Sequence, residues 1–287
     1  MTLRNTPVIV PPDMSARRSS TAKKNAARFR ALLGARRRDR RFVVLSASVQ
    51  DIAIALLAFG GGLVLLAYAA DPHVRTIAAL PPDALRPAVK FFSWLGEGIL
   101  VYVLCVVLIV FSVVRDLSDH GTRARVHDFT RAAAALYVFA AVVVAGLAAA
   151  LLKFIIGRAR PSLIEEAGPY AFDIFGPSAK WASFPSGHTT TIMSCAAALA
   201  LLLPRWRVPI LIAGVVFSCS RVFIGAHYPT DVLGGIALGA LVSWLFARAL
   251  AQRRVVFRFD DEGRVKPLHY LGQAFTLAPK TARKTAR

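Results

Sequence analysis

Apolar runs separated by short polar segments dominate the chain between residues 52 and 247. The first of them, Ile52–Ala70, holds nineteen residues without a charge, which is enough to cross about 30 Å of hydrocarbon as a helix. Five more follow, over Phe91–Val114, Ala132–Leu152, Ser186–Leu203, Val208–Ala226 and Val232–Ala247. The pattern predicts an all-α fold, a bundle of six transmembrane helices.

The two ends of the chain differ from this apolar centre. Residues 1–41 mix Pro, Ser, Ala and Arg without apolar periodicity, which predicts a disordered cytoplasmic arm. Their Arg- and Ser-rich, acid-poor composition also fits an organellar transit peptide. The helical membrane domain is predicted over residues 42–252, and residues 253–287 form a basic cytoplasmic tail with no chemistry that we can assign.

Composition supports a membrane protein and explains the charge. Hydrophobic residues make up 56% of the sequence, above the roughly 45–50% of soluble domains. The formal net charge is +20, and residues 1–41 contribute half of it, with twelve Lys and Arg against two Asp. No nucleic-acid-binding motif accompanies this charge, so we expect no nucleic-acid partner.

Arginines gather in the connections on one side of the predicted bundle. They precede the first run, separate the second from the third, fill the turn between the fourth and fifth, and follow the sixth: Arg36, Arg37, Arg38, Arg40, Arg41, Arg115, Arg123, Arg125, Arg131, Arg205, Arg207, Arg248, Arg253 and Arg254. Short cytoplasmic connections carry the excess of Lys and Arg, which makes this side cytoplasmic. We expect both termini in the cytoplasm, a bacterial inner-membrane location and periplasmic exposure of the opposite connections.

Three short motifs lie on that opposite side, each next to a predicted span. They are Lys153-x6-Arg160-Pro161 after the third run, Phe184-Pro185-Ser186-Gly187-His188 at the start of the fourth, and Ser220-Arg221-x5-His227-x3-Asp231 between the fifth and sixth. The side was assigned from the arginines of the other connections, so the convergence of the motifs independently supports a common site.

The cations and the helix start in these motifs suit a phosphate. Lys153, Arg160 and Arg221 supply three positive charges, and the planar guanidinium fork fits bidentate phosphate contacts. Arg221 lies inside an apolar run, where a charge that faced no aqueous cavity would be costly. Ser186 and Gly187 open the fourth helix, whose free backbone N–H groups form an anion site.

The three motifs together resemble the signature of the type 2 phosphatidic acid phosphatase superfamily, which also includes the vanadium haloperoxidases. The resemblance implies a phosphatidic acid phosphatase/haloperoxidase-like core and phosphoryl transfer that needs no metal and no cofactor. It makes His227 the nucleophile that forms a phosphohistidine and His188 the acid that protonates the leaving oxygen. Asp231 would hold the His227 ring in the reactive tautomer. Because Pro229 intervenes, we expect this contact to cross a turn, with Thr230 as the N-cap.

Two charged residues outside the signature are further candidates. Glu97 is predicted about two turns into the second helix on the site side, where it would pair with a site cation or contact substrate. Arg158 would add a phosphate or headgroup contact. For both, a role at the membrane interface is the alternative.

Small residues in the last run bear on packing. Gly235 and Gly239, four positions apart, permit close contact between helices. Six helices must pack in any case, so these glycines do not indicate a dimer, and the sequence predicts no particular oligomeric state.

The sequence therefore predicts an integral membrane phosphatase that hydrolyses a lipid phosphate or pyrophosphate at the outer membrane face through a phosphohistidine. One alternative is a lipid phosphotransferase of the same fold, for example one acting on lipid A; another is a non-enzymatic anion transporter. The expected partners are the bilayer and a membrane lipid phosphate. Phosphatidate, phosphatidylglycerol phosphate, undecaprenyl pyrophosphate and lipid A phosphates all fit the sequence.

Overall fold

The computed structural model describes residues 48–114, 122–176 and 178–268, together with Lys23, Lys24 and Ala27. The predicted arm over residues 1–41 lies outside the described residues apart from those three positions, as does the tail from residue 269 onwards. Nine α-helices lie within the described residues: α1 Val49–Ala70, α2 Val74–Ala79, α3 Arg86–Leu95, α4 Ile99–Val114, α5 Thr122–Ile156, α6 Ile164–Ala167, α7 Gly187–Leu202, α8 Arg207–Phe223 and α9 Pro229–Gln252.

Short elements complete the fold. Turns of 3-10 helix lie at Asp71–His73, Asp83–Leu85, Pro161–Leu163, Ala179–Trp181 and Pro204–Trp206, and an antiparallel pair of strands, β1 Phe257–Phe259 and β2 Val265–Pro267, follows α9. The protein is therefore mostly helical, and the hairpin was not predicted from the sequence.

Four helical segments among the described residues are long and apolar enough to cross a membrane: Gln50–Ala79, Asp128–Ile156, Pro204–Phe223 and Pro229–Gln252. The number rises to five if the bent pair α3 and α4 counts as one span. The remaining predicted span corresponds to α7, whose 16 residues extend about 24 Å. The protein is thus a multi-pass integral membrane protein, and α7 is shorter than the span that we predicted.

The second predicted span is broken. Helix α3 ends at Leu95, α4 begins at Ile99, and the two helices bend by 42° at the break. Gly98 adopts a φ of 78°, and a β-carbon there would lie 2.6 Å from Cγ2 of Thr191. A glycine is needed for both reasons. Glu97 lies in this break and is exposed, which corrects its predicted position within a continuous helix.

Helix α7 lies at the centre of the bundle, between α5, α8 and α9. Its contact with α9 is close because α9 presents glycines to it. A β-carbon at Gly235 would lie 2.7 Å from the Ser186 carbonyl oxygen, and one at Gly239 would lie 2.6 Å from the Thr190 carbonyl oxygen. The predicted close helix contact at this glycine pair is confirmed.

A hydrophobic core closes the end of the bundle where α9 finishes. Phe257 of β1 is fully buried, with its ring edge-on to Tyr137 of α5 at a centroid distance of 5.0 Å. Val255 and Val256 are buried in the same core. Residues 253–268 therefore belong to the packed fold, although the sequence had placed them in a basic tail.

Candidate active site

The three sequence motifs meet at the other end of the bundle. Helix α5 ends at Ile156, α7 begins at Gly187, α8 ends at Phe223 and α9 begins at Pro229. The connections at these four helix ends touch one another through hydrogen bonds. Residues that are up to 80 positions apart in the signature therefore share one site.

His227 and Asp231 form the centre of this site. His227 precedes α9 and Asp231 lies in its first turn, so that Nδ1 of the histidine is 3.4 Å from Oδ2 of the aspartate. Both side chains are buried. The contact crosses the helix start, as predicted, but the N-cap is Tyr228 rather than Thr230. The Asp231 carboxylate instead caps the helix by accepting from the Tyr228 backbone N–H at 2.9 Å.

Further hydrogen bonds fix the orientation of the Asp231 carboxylate. Oδ2 accepts from the Ser183 hydroxyl at 2.5 Å. Oδ1 accepts from the Arg158 guanidinium at 2.8 Å. Because both carboxylate oxygens of Asp231 accept hydrogen bonds, the partner of His227 Nδ1 is held in a fixed position. Nε2 is then the ring nitrogen that can react or bind a ligand.

Arg158 faces the interior of the protein. Its NH1 and NH2 groups both donate to protein oxygens, and its guanidinium carbon lies 4.2 Å from the centre of the Tyr228 ring. One of the acceptors is Asp71, at 2.7 Å, which the sequence analysis did not single out. The only signal for Asp71 was its position directly after an uncharged span on the side of the motifs.

The predicted phosphate-binding cations surround the histidines. Lys153, Arg160 and Arg221 each interact electrostatically with His188. The Lys153 ammonium group donates to the carbonyl oxygen of Ala182 at 2.7 Å. Arg160 donates through Nε to the Ala179 carbonyl oxygen at 3.0 Å, and its terminal nitrogens have no hydrogen-bond partner among the described residues.

Arg221 joins the site to the broken second span. Its side chain is buried in α8, one NH group donates to the Ser93 hydroxyl of α3, and Nε has no hydrogen-bond partner among the described residues. Glu97 interacts electrostatically with Arg221. The pairing of Glu97 with a site cation stays a prediction.

The start of α7 supplies uncharged donors. Ser186 is the N-cap and Gly187 the first residue of the helix. The Ser186 hydroxyl is fully buried and has no partner among the described residues. Gly187 keeps this end open, since a β-carbon there would meet only Cε of Lys153, at 3.6 Å. Unpaired buried donors are costly, and an anion would satisfy this one.

Electrostatics favour neutral imidazole at His227. Burial lowers the pKa of His227, which lies between two spans, to about 4, although the bond to Asp231 acts in the opposite direction. Burial also lowers the pKa of Arg160. The described part of the chain contains no group of three His, Cys, Asp or Glu side chains that could hold a metal ion.

The fold and the site define a membrane-spanning helical protein with a basic, histidine-containing cluster at one end. Residues 134–254 match the PAP2 superfamily. The match bears out the resemblance predicted from the three motifs.

Known proteins give more specific similarities. The chain is 43% identical over 127 residues to a lipid A 1-phosphatase of Rhizobium etli, a match that covers 44% of this chain and 55% of the relative. It is 38% identical over 85 residues to the undecaprenyl-diphosphatase BcrC of Bacillus subtilis, covering 30% and 39%. The chain spans about half the length of the lipid A 1-phosphatases it matches.

Among solved structures, the chain is similar to a transmembrane PAP2 type phosphatidylglycerolphosphate phosphatase from Bacillus subtilis. The identity is 19%, the match covers 79% of this chain and 94% of that one, and the TM-score is 0.42.

Proposed function

We propose that this protein is a membrane lipid phosphate phosphatase that acts through a phosphohistidine at His227. The observation that carries the proposal is the buried His227–Asp231 pair. Asp231 accepts the hydrogen bond from the Nδ1–H group, so Nε2 is free to act as the nucleophile. Burial keeps the ring neutral at ordinary pH, and the surrounding Lys153, Arg160 and Arg221 would bind the phosphate oxygens.

In the first step, the lone pair of His227 Nε2 attacks phosphorus and the bond from phosphorus to the lipid oxygen breaks. His188 protonates that oxygen, and the dephosphorylated lipid leaves. The cations and the Ser186 hydroxyl stabilise the charge on the transferring group. The imidazole ring becomes positively charged as the P–N bond forms, and Asp231 stabilises it through the Nδ1–H.

In the second step, water attacks the phosphohistidine. His188, now neutral, takes a proton from the water while the P–N bond breaks. Inorganic phosphate leaves, and His227 returns to neutral imidazole. Arg158 has protein partners for both of its NH groups, so in this mechanism it positions Asp231 rather than binding the phosphate.

For the substrate we propose a lipid phosphate of the lipid A class, with the 1-phosphate as the reacting group. The similarity to two lipid A 1-phosphatases supports this choice. An open cleft of about 370 Å³ between α2 and the residues next to the motifs gives space for a headgroup, with Arg75, Arg86 and Ser162 in its lining.

We further propose that six segments cross a bacterial inner membrane, with the site in the periplasm. Arg205 and Arg207 lie at the turn between α7 and α8, at the opposite end of these helices from the motifs. The positive-inside rule makes that end cytoplasmic. A single cysteine at the exposed Ser178 should react with a membrane-impermeant maleimide in intact spheroplasts, and one at Arg205 should react only after lysis.

The first experiment is phosphate release by the detergent-purified protein with chelator present. The substrates are lipid A 1-phosphate, undecaprenyl pyrophosphate, phosphatidate and phosphatidylglycerol phosphate, run beside His227→Ala. We expect release from lipid A 1-phosphate that disappears in the variant. Transfer of label to a second lipid without free phosphate would instead identify a phosphotransferase. Anion transport that survives His227→Ala, without turnover, would identify a transporter.

A second experiment separates the two histidines. An aryl phosphate has a leaving group that needs no protonation, so His188→Ala should still form the phosphohistidine from it but should hydrolyse it slowly. Acid-labile, alkali-stable label should therefore accumulate on His188→Ala and be absent from His227→Ala. Label on His227→Ala, or equal steady-state labelling of wild type and His188→Ala, would contradict the assigned roles.

A further inference from the structure

Asp71 is a fully buried aspartate that lies outside all three motifs, directly after α1. Both of its carboxylate oxygens are occupied. Oδ2 accepts from Arg158 NH2 at 2.7 Å and from the Thr230 hydroxyl at 2.5 Å. Oδ1 accepts from the Thr230 backbone N–H at 3.2 Å. The residue that follows α1 is thereby bonded to the start of α9.

Arg158 is shared between two buried carboxylates. NH2 donates to Asp71 and to the carbonyl oxygen of Pro169, the latter at 2.9 Å. NH1 donates to Asp231 Oδ1 at 2.8 Å and to the Thr230 hydroxyl at 2.6 Å. Asp71 therefore anchors one edge of the guanidinium, so that the other edge meets Asp231 in a fixed geometry.

The charges of this group matter for the nucleophile. Asp71 and Asp231 carry two negative charges against the single positive charge of Arg158. Without Asp71, Arg158 alone would neutralise Asp231. With it, the group keeps an excess negative charge next to His227 Nδ1, which stabilises the positive charge that the ring gains when phosphorus binds.

We infer that Asp71 is a positioning residue for the nucleophile: through Arg158 it sets the orientation and effective charge of Asp231, and thereby the reactivity of His227. The inference rests on the proposed function of His227. Asp71 does not touch the substrate in this mechanism, so its replacement should slow phosphorylation of His227 while leaving substrate binding intact.

The test compares Asp71→Asn with wild type and His227→Ala in full-length protein in detergent micelles. We expect kcat to fall about 10–100-fold, the range seen for residues that orient metal-bound histidines, with KM within about two-fold of wild type. The rate of label incorporation into His227 in a single turnover should fall by the same factor. Asp261→Asn is the matched control, because Asp261 is an exposed aspartate between β1 and β2, at the opposite end of the bundle from the site.

A double-mutant cycle distinguishes positioning from general destabilisation. If Asp71 acts through Arg158, the double variant Asp71→Asn/Arg158→Gln should have a kcat close to that of the slower single variant. Fully multiplicative losses, a rise in KM without a fall in kcat, or wild-type kcat in Asp71→Asn would overturn the inference. No turnover by wild type on any substrate would instead overturn the proposed function, and the inference with it.

If Asp71→Asn fails to fold, two variants of Thr230 provide a second test. Thr230→Val removes the hydroxyl that bridges Asp71 and Arg158 beside their direct bond while keeping the shape of the side chain, and Thr230→Ser restores the hydroxyl. We expect a fall in kcat at constant KM for valine and recovery for serine. Equal kcat in both variants and wild type would overturn the inference.

Discussion

The backbone N–H of Ser186 donates to the backbone carbonyl oxygen of Asp231, at 3.0 Å. This bond joins the second motif to the third and sets the start of α7 beside the start of α9. Gly235, in the second turn of α9, makes the approach possible because its missing β-carbon leaves room for the Ser186 carbonyl. The unpartnered Ser186 hydroxyl and the His227–Asp231 pair are therefore held in a fixed relation.

The Ser186 hydroxyl should contribute to turnover but little to stability. We expect Ser186→Ala to lower kcat/KM about 10–100-fold, since a hydrogen bond to a charged group contributes about 1.5–3 kcal/mol. Its melting temperature should remain that of wild type, because the hydroxyl has no partner among the described residues in the unliganded protein. Phosphate release and thermal unfolding in detergent measure the two quantities.

Ser194→Ala is the matched control for this prediction. Ser194 lies two turns further along α7 and is hydrogen-bonded to Ser243 of α9 at 2.9 Å. Its loss should lower stability by about 1 kcal/mol and leave kcat/KM unchanged. Equal kcat/KM in Ser186→Ala and wild type would remove the serine from the site.

Replacement of the orienting carboxylate should be severe for chemistry. In Asp231→Asn, the side-chain amide can donate to Nδ1, which moves the ring proton to Nε2 and blocks attack on phosphorus. We expect kcat to fall by roughly 10²–10⁴-fold, by analogy with the orienting aspartate of serine proteases. Single-turnover labelling of His227, normalised to folded protein, checks this expectation.

The same variant should also be less stable. Asp231 is buried against Arg158, and removing one member of a buried ion pair costs about 3–5 kcal/mol. An Asp231→Asn protein that unfolds like wild type and labels at the wild-type rate would exclude the assigned role.

The fall of kcat/KM on the acid side of the pH profile should occur well below about pH 6.5, the ordinary pKa of histidine. In the proposed mechanism His227 attacks as neutral imidazole, and burial lowers its pKa to about 4. As pH falls from 7 to 5 the ring stays neutral, and kcat/KM falls only as the pH approaches that pKa. The measurement is kcat/KM against pH, referred to the dianionic substrate because the second pKa of a phosphate monoester is about 6. A limb near pH 6.5 would show that His227 is not shielded as described.

Close contact between α7 and α9 should make Gly239 intolerant of any side chain. A β-carbon there would lie 2.6 Å from the Thr190 carbonyl oxygen and 2.7 Å from the Ser194 backbone nitrogen. We expect Gly239→Ala to cost at least about 1–3 kcal/mol and to lower activity, because the two helices carry His188 and Asp231. Thermal unfolding in detergent measures the loss.

Gly146→Ala is the control, since a β-carbon at Gly146 of α5 meets nothing within 4 Å. Its higher helix propensity should leave stability unchanged or raise it by up to about 1 kcal/mol. Equal melting temperatures for the Gly239 and Gly146 variants would contradict the close packing of α7 on α9.

The sequence predicted the apolar helices and the meeting of the motifs because both depend on local features. A span is visible as an uncharged run, and a motif next to a span lies at one of the two membrane surfaces. The Gly235–Gly239 contact could be predicted for a similar reason, since two small residues one turn apart leave a groove on one helix face.

Other features depend on tertiary contacts and could not be predicted. The break at Gly98 follows Glu97 in a run long enough to be predicted as one span, and only the packing of Gly98 against Thr191 shows that the helix stops there. The strands at Phe257 and Val265 are three residues long, too short to show alternation. Asp71 follows a span, where an acidic residue is ordinary, and only the packing of Arg158 shows why it is buried.

Asp71 and Thr230 share hydrogen bonds although 159 positions separate them in the chain. At about 5–20 residues per second, a ribosome needs roughly 10–30 s to pass from one to the other. During that interval the first span carries an aspartate whose partners do not yet exist. His227 therefore acquires these surroundings only when α9 has been made, and we expect a nascent chain to be inert until then.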